Sequence, residues 1–383
     1  MHNPLPELYI GLMSGTSLDG VDGVLADFSE PGVRVLASAS RPFSAAFRRE
    51  LLALNSPSPN ELHRAALAGN QIAAVYADVV ADLLAQAALG GIEKSGIRAI
   101  GAHGQTVRHQ PQMATGTGNA AAAYTLQLNN PAMLAERTGI DVVADLRSRD
   151  VAAGGQGAPL VPAFHRHVFS SADDSVAVLN IGGIANLSVL PNDAARPVLG
   201  FDCGPGNALM DAWCQRHTGQ AFDAEGAWAA SGQCLPDLLQ HLLNEPYFSQ
   251  DPPKSTGRDL FSSQWLADKL LPFAAALPQD IQNTLTELTA SACADCVISY
   301  AKYSSLLIVC GGGAFNRYLL ARLQALLPTL PVSTSDQHGL PPLQVEATAF
   351  AWLARQAMQR LPGNLPSVTG AAGARILGAI YPA

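Results

Sequence analysis

Residues 179–213 read LNIGGIANLSVLPNDAARPVLGFDCGPGNALMDAW, and two glycine turns in this stretch decide how the rest of the chain is read. The apolar run 176–181 has the pattern of a buried strand and breaks into Gly182-Gly183, after which 184–190 resumes as a second strand. Two strands separated by two glycines predict a tight hairpin. Residues 198–201 then lead into Asp202, Cys203-Gly-Pro-Gly-Asn207 follows, and 208–213 has a helical period with Leu209 and Met210 on its apolar side. Glycine at a hairpin tip lets backbone N–H groups approach a phosphate with no Cβ in the way. A carboxylate at the end of an apolar strand, beside a helix start, sits where open α/β sheets hold ligands. Each feature also has a plainer reading, a bare hairpin and a helix cap.

The 383-residue chain is long enough for two domains, each with its own core. Its 48% hydrophobic and 14% charged content predicts a packed globular protein without disordered charge runs. A net charge of −8 with no basic cluster argues against a nucleic-acid partner. The opening MHNPLPELYIGLMSG lacks the basic start and apolar core of a signal peptide. No apolar run approaches the ~20 residues that span a bilayer, and 65–88, with Asp78, Asp82 and Gln86, reads as an amphipathic helix. The expectation is a cytoplasmic chain with no membrane partner, whose six cysteines (Cys203, Cys214, Cys234, Cys293, Cys296 and Cys310) stay reduced. Cys293-Ala-Asp-Cys296 has the spacing of a zinc or redox pair. It lies in a helical run with no second Cys/His pair nearby, which favours core packing.

Taken in order, residues 7–12 form a short apolar run that breaks into Met13-Ser-Gly-Thr-Ser-Leu-Asp-Gly-Val-Asp22, with strands at 24–28 and 33–39 after it. A hairpin follows this loop where a Walker motif would have a helix, and no GxxxxGK[ST] occurs. Its hydroxyls and two acids suit phosphate oxygens and, through water, Mg²⁺. Helix 60–88 precedes a strand, 97–102, that runs into His103-Gly-Gln-Thr106. A surface loop at 111–123, strand 124–128, helix 131–138 and strand 141–145 lead to Arg147-Ser-Arg149-Asp150 and a third glycine-rich connection, 152–159. Beyond the central stretch come polar loops at 226–233 and 253–261, helix 281–303, strand 305–310, Gly311-Gly-Gly-Ala-Phe-Asn316, helix 317–327 and helix 345–359.

Four glycine-bearing strand ends in one chain predict a duplicated architecture: two α/β lobes, 1–145 and 146–383, with a nucleotide in the cleft and helix 345–360 with the tail packing back on the first lobe. This plan resembles the sugar-kinase, heat-shock-ATPase and actin superfamily. More specifically, Met13–Asp22, His103-Gly-Gln-Thr106, Asp150-Val-Ala-Ala-Gly-Gly-Gln-Gly157, Phe201-Asp-Cys-Gly-Pro-Gly-Asn207 and Cys310-Gly-Gly-Gly-Ala-Phe-Asn316 together resemble the anhydro-N-acetylmuramic acid kinase family from residue 9 to the C-terminus.

The resemblance implies a two-lobed actin-like ATPase fold with a central ligand cleft, in a cytoplasmic homodimer that uses ATP and Mg²⁺. Such an enzyme opens the 1,6-anhydro ring of anhydro-N-acetylmuramic acid with water and phosphorylates O6 during cell-wall recycling. On this likeness Asp202 is the catalytic base. Gly15, Thr16, Ser17, Leu18, Asp19, Gly20, Val21 and Asp22 form the ATP-phosphate loop, with Asp19 near Mg²⁺ through water. Asn180, Gly182 and Gly183 form a second phosphate hairpin; Gly311, Gly312, Gly313 and Asn316 carry the adenosine. His103, Gln105, Thr106, Arg149 and Glu346 contact the sugar.

The chemistry asks for these types: water attacking the anomeric carbon needs a carboxylate base, and O6 must attack an in-line, screened γ-phosphate. Several points stay open on the sequence. Arg149 pairs the substrate's lactyl carboxylate or braces Asp150; His103 competes with Asp202 as base; Lys254-Ser-Thr-Gly-Arg258 has no assigned role and reads as structural. The loop 112–123 looks longer and richer in Ala and Gly than the family's. A hexose or acetamido-sugar kinase, and a non-catalytic sugar sensor or assembly protein, are the competing functions; intact Asp19, Asp22 and Asp202 argue against a dead site.

Overall fold

A computed structural model describes residues 6–15, 18–29, 32–111, 123–257 and 260–383. The chain divides into two compact units, 1–168 with 344–383, and 169–343. The expected boundary at 145/146 is therefore displaced, and the second unit is an insertion in the first. The displacement has a packing cause. Phe164, in the helix Val161–Phe169, stacks 6.2 Å from Trp352 in the helix Val345–Met358, which ties both segments to one core.

The first unit is built on a sheet of β1 (Leu8–Ser14), β2 (Gly20–Asp27), β3 (Arg34–Pro42), β4 (Ile97–Gln110), β5 (Tyr124–Leu128), β6 (Val142–Ala144) and β12 (Ala379–Tyr381). Its order is β12-β6-β4-β1-β2-β3, with β5 also on β4. β1, β2 and β3 form an antiparallel meander, whereas β4 lies parallel to β1 and β6 parallel to β4.

The helix Glu61–Leu89 packs on β2 and β3 and buries Ile72, Tyr76, Val79, Val80 and Leu83. Their spacing is that of one helical face, and each such side chain contributes about 1.5–3 kcal/mol on burial. This helix also contains an 18-residue window of hydropathy 1.6, enough by length and composition to cross a membrane. A core helix passes the same test, and this one has Asp78 and Gln86 exposed and its apolar face committed to the sheet, as the amphipathic reading expects. The helix Val345–Met358 packs against β1 and β4 at two strand glycines. A Cβ on Gly11 would strike the Ala347 carbonyl, and one on Gly101 the Phe350 carbonyl. Glycine is what lets this helix sit so close.

Local signals end the elements as expected where they are strong. The helix Pro131–Thr138 has Asn130 accepting from the Met133 amide at 3.0 Å, Pro131 in its first turn and a left-handed Gly139 after it.

The second unit repeats the plan with β7 (Ser175–Ile181), β8 (Ile184–Leu190), β9 (Leu199–Pro205), β10 (Ser304–Cys310) and β11 (Val332–Thr334), in the order β11-β10-β7-β8-β9. Again a three-strand antiparallel meander continues into two parallel strands. The core is closed by the helix Pro278–Tyr300, with Leu285, Leu288 and Cys293 packed among Leu179, Leu187 and Phe201. Cys203, Cys293 and Cys296 all lie in this apolar cluster.

Candidate active site

Three glycine turns of the second unit interlock. The amides of Gly206 and Ala208 donate to the Gly183 carbonyl at 2.9 and 3.3 Å, and that of Asn207 donates to Gly182 at 2.8 Å. The Asn207 side-chain amide reaches the Ile181 carbonyl at 3.0 Å. Thr289, on the long helix, donates to the carbonyls of Pro205 and Gly206, both at 3.1 Å. A Cβ on Gly206 would run into the Gly182 carbonyl, and one on Gly311 (φ 77°) into the Asn180 side chain. Glycine is required here for turns to touch each other as well as for any ligand.

This changes the reading of several residues. Asn180 is buried and lies against Cys310 and Gly311, so it holds strands together. Gly313 is buried against Ile181, and Asn316 caps the helix Arg317–Leu326 by accepting from the Leu319 amide at 3.0 Å. Gly312 is exposed, and Gly182 and Gly183 are half-buried.

Asp202 is the fourth of seven residues in β9, not the end of a strand. The strand runs on through Cys203-Gly-Pro205 because Gly204 and Pro205 pair with β8, with Cys203 at an irregularity in the register. Oδ2 of Asp202 accepts from the Ser255 hydroxyl at 2.9 Å and from the Thr256 amide at 3.0 Å. Its backbone amide donates to the Lys254 carbonyl at 3.2 Å, and its carbonyl accepts from the Tyr247 hydroxyl at 2.8 Å. Burial pushes the carboxyl up to about 6, against the opposing pull of those two donors. The helix-cap alternative fails: Asn207 holds the cap position of the helix Ala208–Thr218, and that helix has no side-chain cap. Lys254, Ser255 and Thr256, left without a role by the sequence, are the carboxylate's surroundings. Arg258 lies outside the described residues.

In the first unit, a second polar cluster gathers around His103. The strand expected to stop at residue 102 continues as β4 to Gln110, with β5 pairing along its extension. His103 is buried; its Nδ1 donates to the Ser14 carbonyl at 3.2 Å, and its Nε2 accepts from Arg147 Nε at 3.0 Å. Burial, then the Arg147 charge, lowers it to about 3, so it is neutral. Neither nitrogen is left for a sugar, and a base needs a free lone pair. Gln105 is also buried, accepting from the Ser14 hydroxyl and donating to the Gly15 carbonyl at 3.1 Å. Both side chains hold the loop after β1. Thr106 is half-buried and accepts from Gln127 at 3.2 Å.

Within that loop, Leu18 and Val21 are buried apolar residues, and Gly20 lies where a Cβ would meet the Arg41 carbonyl. Gly15 is half-buried, and Asp19 is exposed and paired with Arg48 at 3.1 Å. Asp22 stands on the exposed side of β2, yet its carboxyl is raised, first by desolvation and then by Asp19. Thr16 and Ser17 lie outside the described residues, as does the loop 112–122. Among the described residues no three or more His, Cys, Asp or Glu side chains gather as a metal site.

Arg147, which sequence reasoning passed over for Arg149, is the central cation of this cluster. It donates to the Gly157 carbonyl at 2.7 Å as well as to His103, and feels the charges of Glu346 and Asp150. Burial lowers it to about 10. Arg149 is exposed and makes no ion pair among the described residues. It does not brace Asp150, whose buried carboxylate instead accepts from the Gly157 amide at 2.8 Å, Asn364 at 2.6 Å and Thr369 at 2.7 Å. A clue to Arg147 was its place three residues beyond a three-residue buried strand, where the side chain is still tied to the core.

Two sheets of one plan, with a carboxylate beside interlocked glycine turns, give the chain the duplicated α/β fold expected from the sequence. The sequence fixes the branch: the chain belongs to the anhydro-N-acetylmuramic acid kinase family, whose profile matches residues 7–383. Anhydro-N-acetylmuramic acid kinase of Albidiferax ferrireducens is 63% identical over 99% of this chain and 100% of its own length. That of Variovorax paradoxus is 63% identical over 98% and 99%, and that of Bordetella pertussis 55% identical over 98% and 96%. Solved structures are more distant. The activator of the 2-hydroxyisocaproyl-CoA dehydratase from Clostridium difficile, with bound ADPNP, shares 14% identity over 92% of this chain and 98% of that one, at a TM-score of 0.45. A ROK family glucokinase from Streptomyces griseus shares 16% over 91% and 99%, at 0.40. Likenesses this loose decide nothing further.

Proposed function

We propose that this chain converts 1,6-anhydro-N-acetylmuramic acid, water and ATP into N-acetylmuramic acid 6-phosphate and ADP, with Asp202 as general base. The supporting observation is the state of that carboxylate: Oδ2 is held by two donors while Oδ1 has no hydrogen bond among the described residues, and its raised value of about 6 suits a base working near neutrality. Asp202 takes a proton from water as the water oxygen bonds to the anomeric carbon. The C1–O6 bond breaks, O6 keeps its electron pair and attacks the γ-phosphorus, and ADP departs. Backbone N–H groups at Gly15, Gly182, Gly183 and Gly312 are the proposed nucleotide contacts. Arg149, exposed and without an ion pair among the described residues, is assigned to the lactyl carboxylate. Glu346, by contrast, sits in the electrostatic reach of Arg147.

Mg²⁺ fits the acids of the first loop. An ion that arrives with nucleotide keeps most of its waters and needs only one or two carboxylates, and a cation beside Asp19 and Asp22 would offset the desolvation that chiefly raises Asp22 and the smaller repulsion from Asp19. The ion would screen charge on the transferred phosphoryl group. A homodimer in the cytoplasm is proposed on the family likeness.

The test is turnover in ¹⁸O-water by wild type and Asp202→Asn. Label at the anomeric oxygen with ADP release supports hydrolytic opening, while unlabelled sugar phosphate points to an ordinary hydroxyl kinase. General-base catalysis contributes roughly 10²–10⁴-fold, so Asp202→Asn should lose at least about two decades of kcat. Near-wild-type kcat would end the base assignment.

A further inference from the structure

β9 is the edge strand of its sheet, so Asp202 has backbone groups on a side where no strand pairs. The stretch 247–256 covers that edge. It meets Asp202 at four points: Tyr247 to the carbonyl, Lys254 to the amide, and Ser255 and Thr256 to Oδ2. The stretch is itself anchored. Lys254 is buried, with its ammonium 3.3 Å from the Phe248 carbonyl and 5.0 Å from the centre of the Tyr247 ring.

We propose that Ser255 is a positioning residue: by holding Oδ2 jointly with the Thr256 amide, it aims Oδ1 at the proton to be taken and keeps the carboxylate ionised. This rests on Asp202 being the base. A carboxylate held by one donor could rotate and present either oxygen, whereas two donors on one oxygen fix which edge is free. Donors to the charged form also favour it, against the desolvation that works the other way. Among the described residues, the titratable groups that feel this charge are Tyr247, from the covering stretch, and Cys203, from the strand. Both are raised by their surroundings and uncharged at neutral pH, so neither substitutes for the hydroxyl. Ser255 is exposed, and its loss removes no core packing.

The experiment is a pH profile of kcat and kcat/KM for wild type, Ser255→Ala and Ser255→Thr, with Asp202→Asn alongside. Ser255→Ala should move the acid limb upward by about half a unit to one unit. kcat should fall about 1.5- to 3-fold near pH 6.5 from the moved limb alone, with a further, pH-independent loss from the freed Oδ1 persisting above pH 8, and the sugar KM should change little; Ser255→Thr should restore both. A Ser255→Ala profile superimposable on wild type, or one depressed equally at every pH, overturns the positioning role. Full turnover in Asp202→Asn would instead sink the base assignment and this inference with it. Abolished turnover there, with an unmoved Ser255→Ala limb, sinks only the role of Ser255.

Discussion

Replacing Asp150 by Asn tests whether the first unit is locked by its tail through one buried carboxylate. The carboxylate is fully buried, and every partner described for it is a donor: the Gly157 amide on Oδ2, and Asn364 and Thr369 on Oδ1. An asparagine has one carbonyl oxygen, so whichever way its amide turns, an NH₂ group faces a donor. Either the Gly157 bond or the two tail bonds are lost, and a buried donor is left against another. Hydrogen bonds to a charged group are worth about 1.5–3 kcal/mol each, so the expected cost is about 2–4 kcal/mol. For a unit of this size that is a drop of roughly 5–15 °C in its unfolding midpoint. Differential scanning calorimetry is the assay, because two units can melt separately and only the first should shift. Where the new amide turns its NH₂ toward the tail, Asn364→Ala in the Asp150→Asn background should cost much less than in wild type, since that pair is already broken; where it turns toward Gly157, the Asn364→Ala cost should be largely kept. A midpoint within 1 °C of wild type would refute the idea that these bonds tie the tail down.

The pH dependence of activity and of stability should run in opposite directions at Asp202. Its folded value of about 6 lies above the ordinary 3.8, and the base must be ionised, so kcat/KM should decline as pH falls through about 6. The folded chain binds that proton more readily than the unfolded chain, so between about 4 and 6 acidification should stabilise this site; urea unfolding of wild type against Asp202→Asn across the window would show no difference in slope if the reasoning is wrong. Gly312→Val should fold, since the added Cβ meets only the Asn207 amide at 3.2 Å. It should raise the KM for ATP several-fold by blocking the backbone, and an unchanged KM in a folded variant removes that turn from the nucleotide site.

The duplicated plan was legible because a glycine pair at 182–183 and a glycine triplet at 311–313 interrupt apolar runs, and such breaks mark strand ends whatever the tertiary context. What escaped was how far strands run past their apolar residues. β4 continues through His103-Gly-Gln-Thr106 and β9 through Asp202-Cys-Gly-Pro205, since backbone pairing with β5 and β8 does not depend on hydropathy. The boundary at 145 was misplaced for a related reason. Residues 146–168 are tied to the first unit by Asp150, which accepts from Asn364 and Thr369, and no local pattern announces contacts made across more than two hundred residues.

The site divides along the same line. Asp202 drew notice because an acid among glycines after an apolar run is unusual, but Ser255 and Thr256, which hold it, are ordinary loop residues until the strand edge they cover is known. His103 and Gln105 were taken for substrate contacts on the opposite error. A polar side chain next to a glycine-rich loop looks like a ligand, yet a loop that must keep its backbone free for phosphate has to be fixed from behind. The Ser14 carbonyl and hydroxyl and the Gly15 carbonyl are fixed in that way, by His103 and Gln105, and Arg147 fixes His103. A neutral imidazole suits this place, because its two nitrogens can donate to the loop and accept from the arginine at once, and burial keeps it from taking the proton that would break the second bond. Polar residues in such a motif are therefore divided between those that meet the ligand and those that hold what meets it, and only burial separates the two.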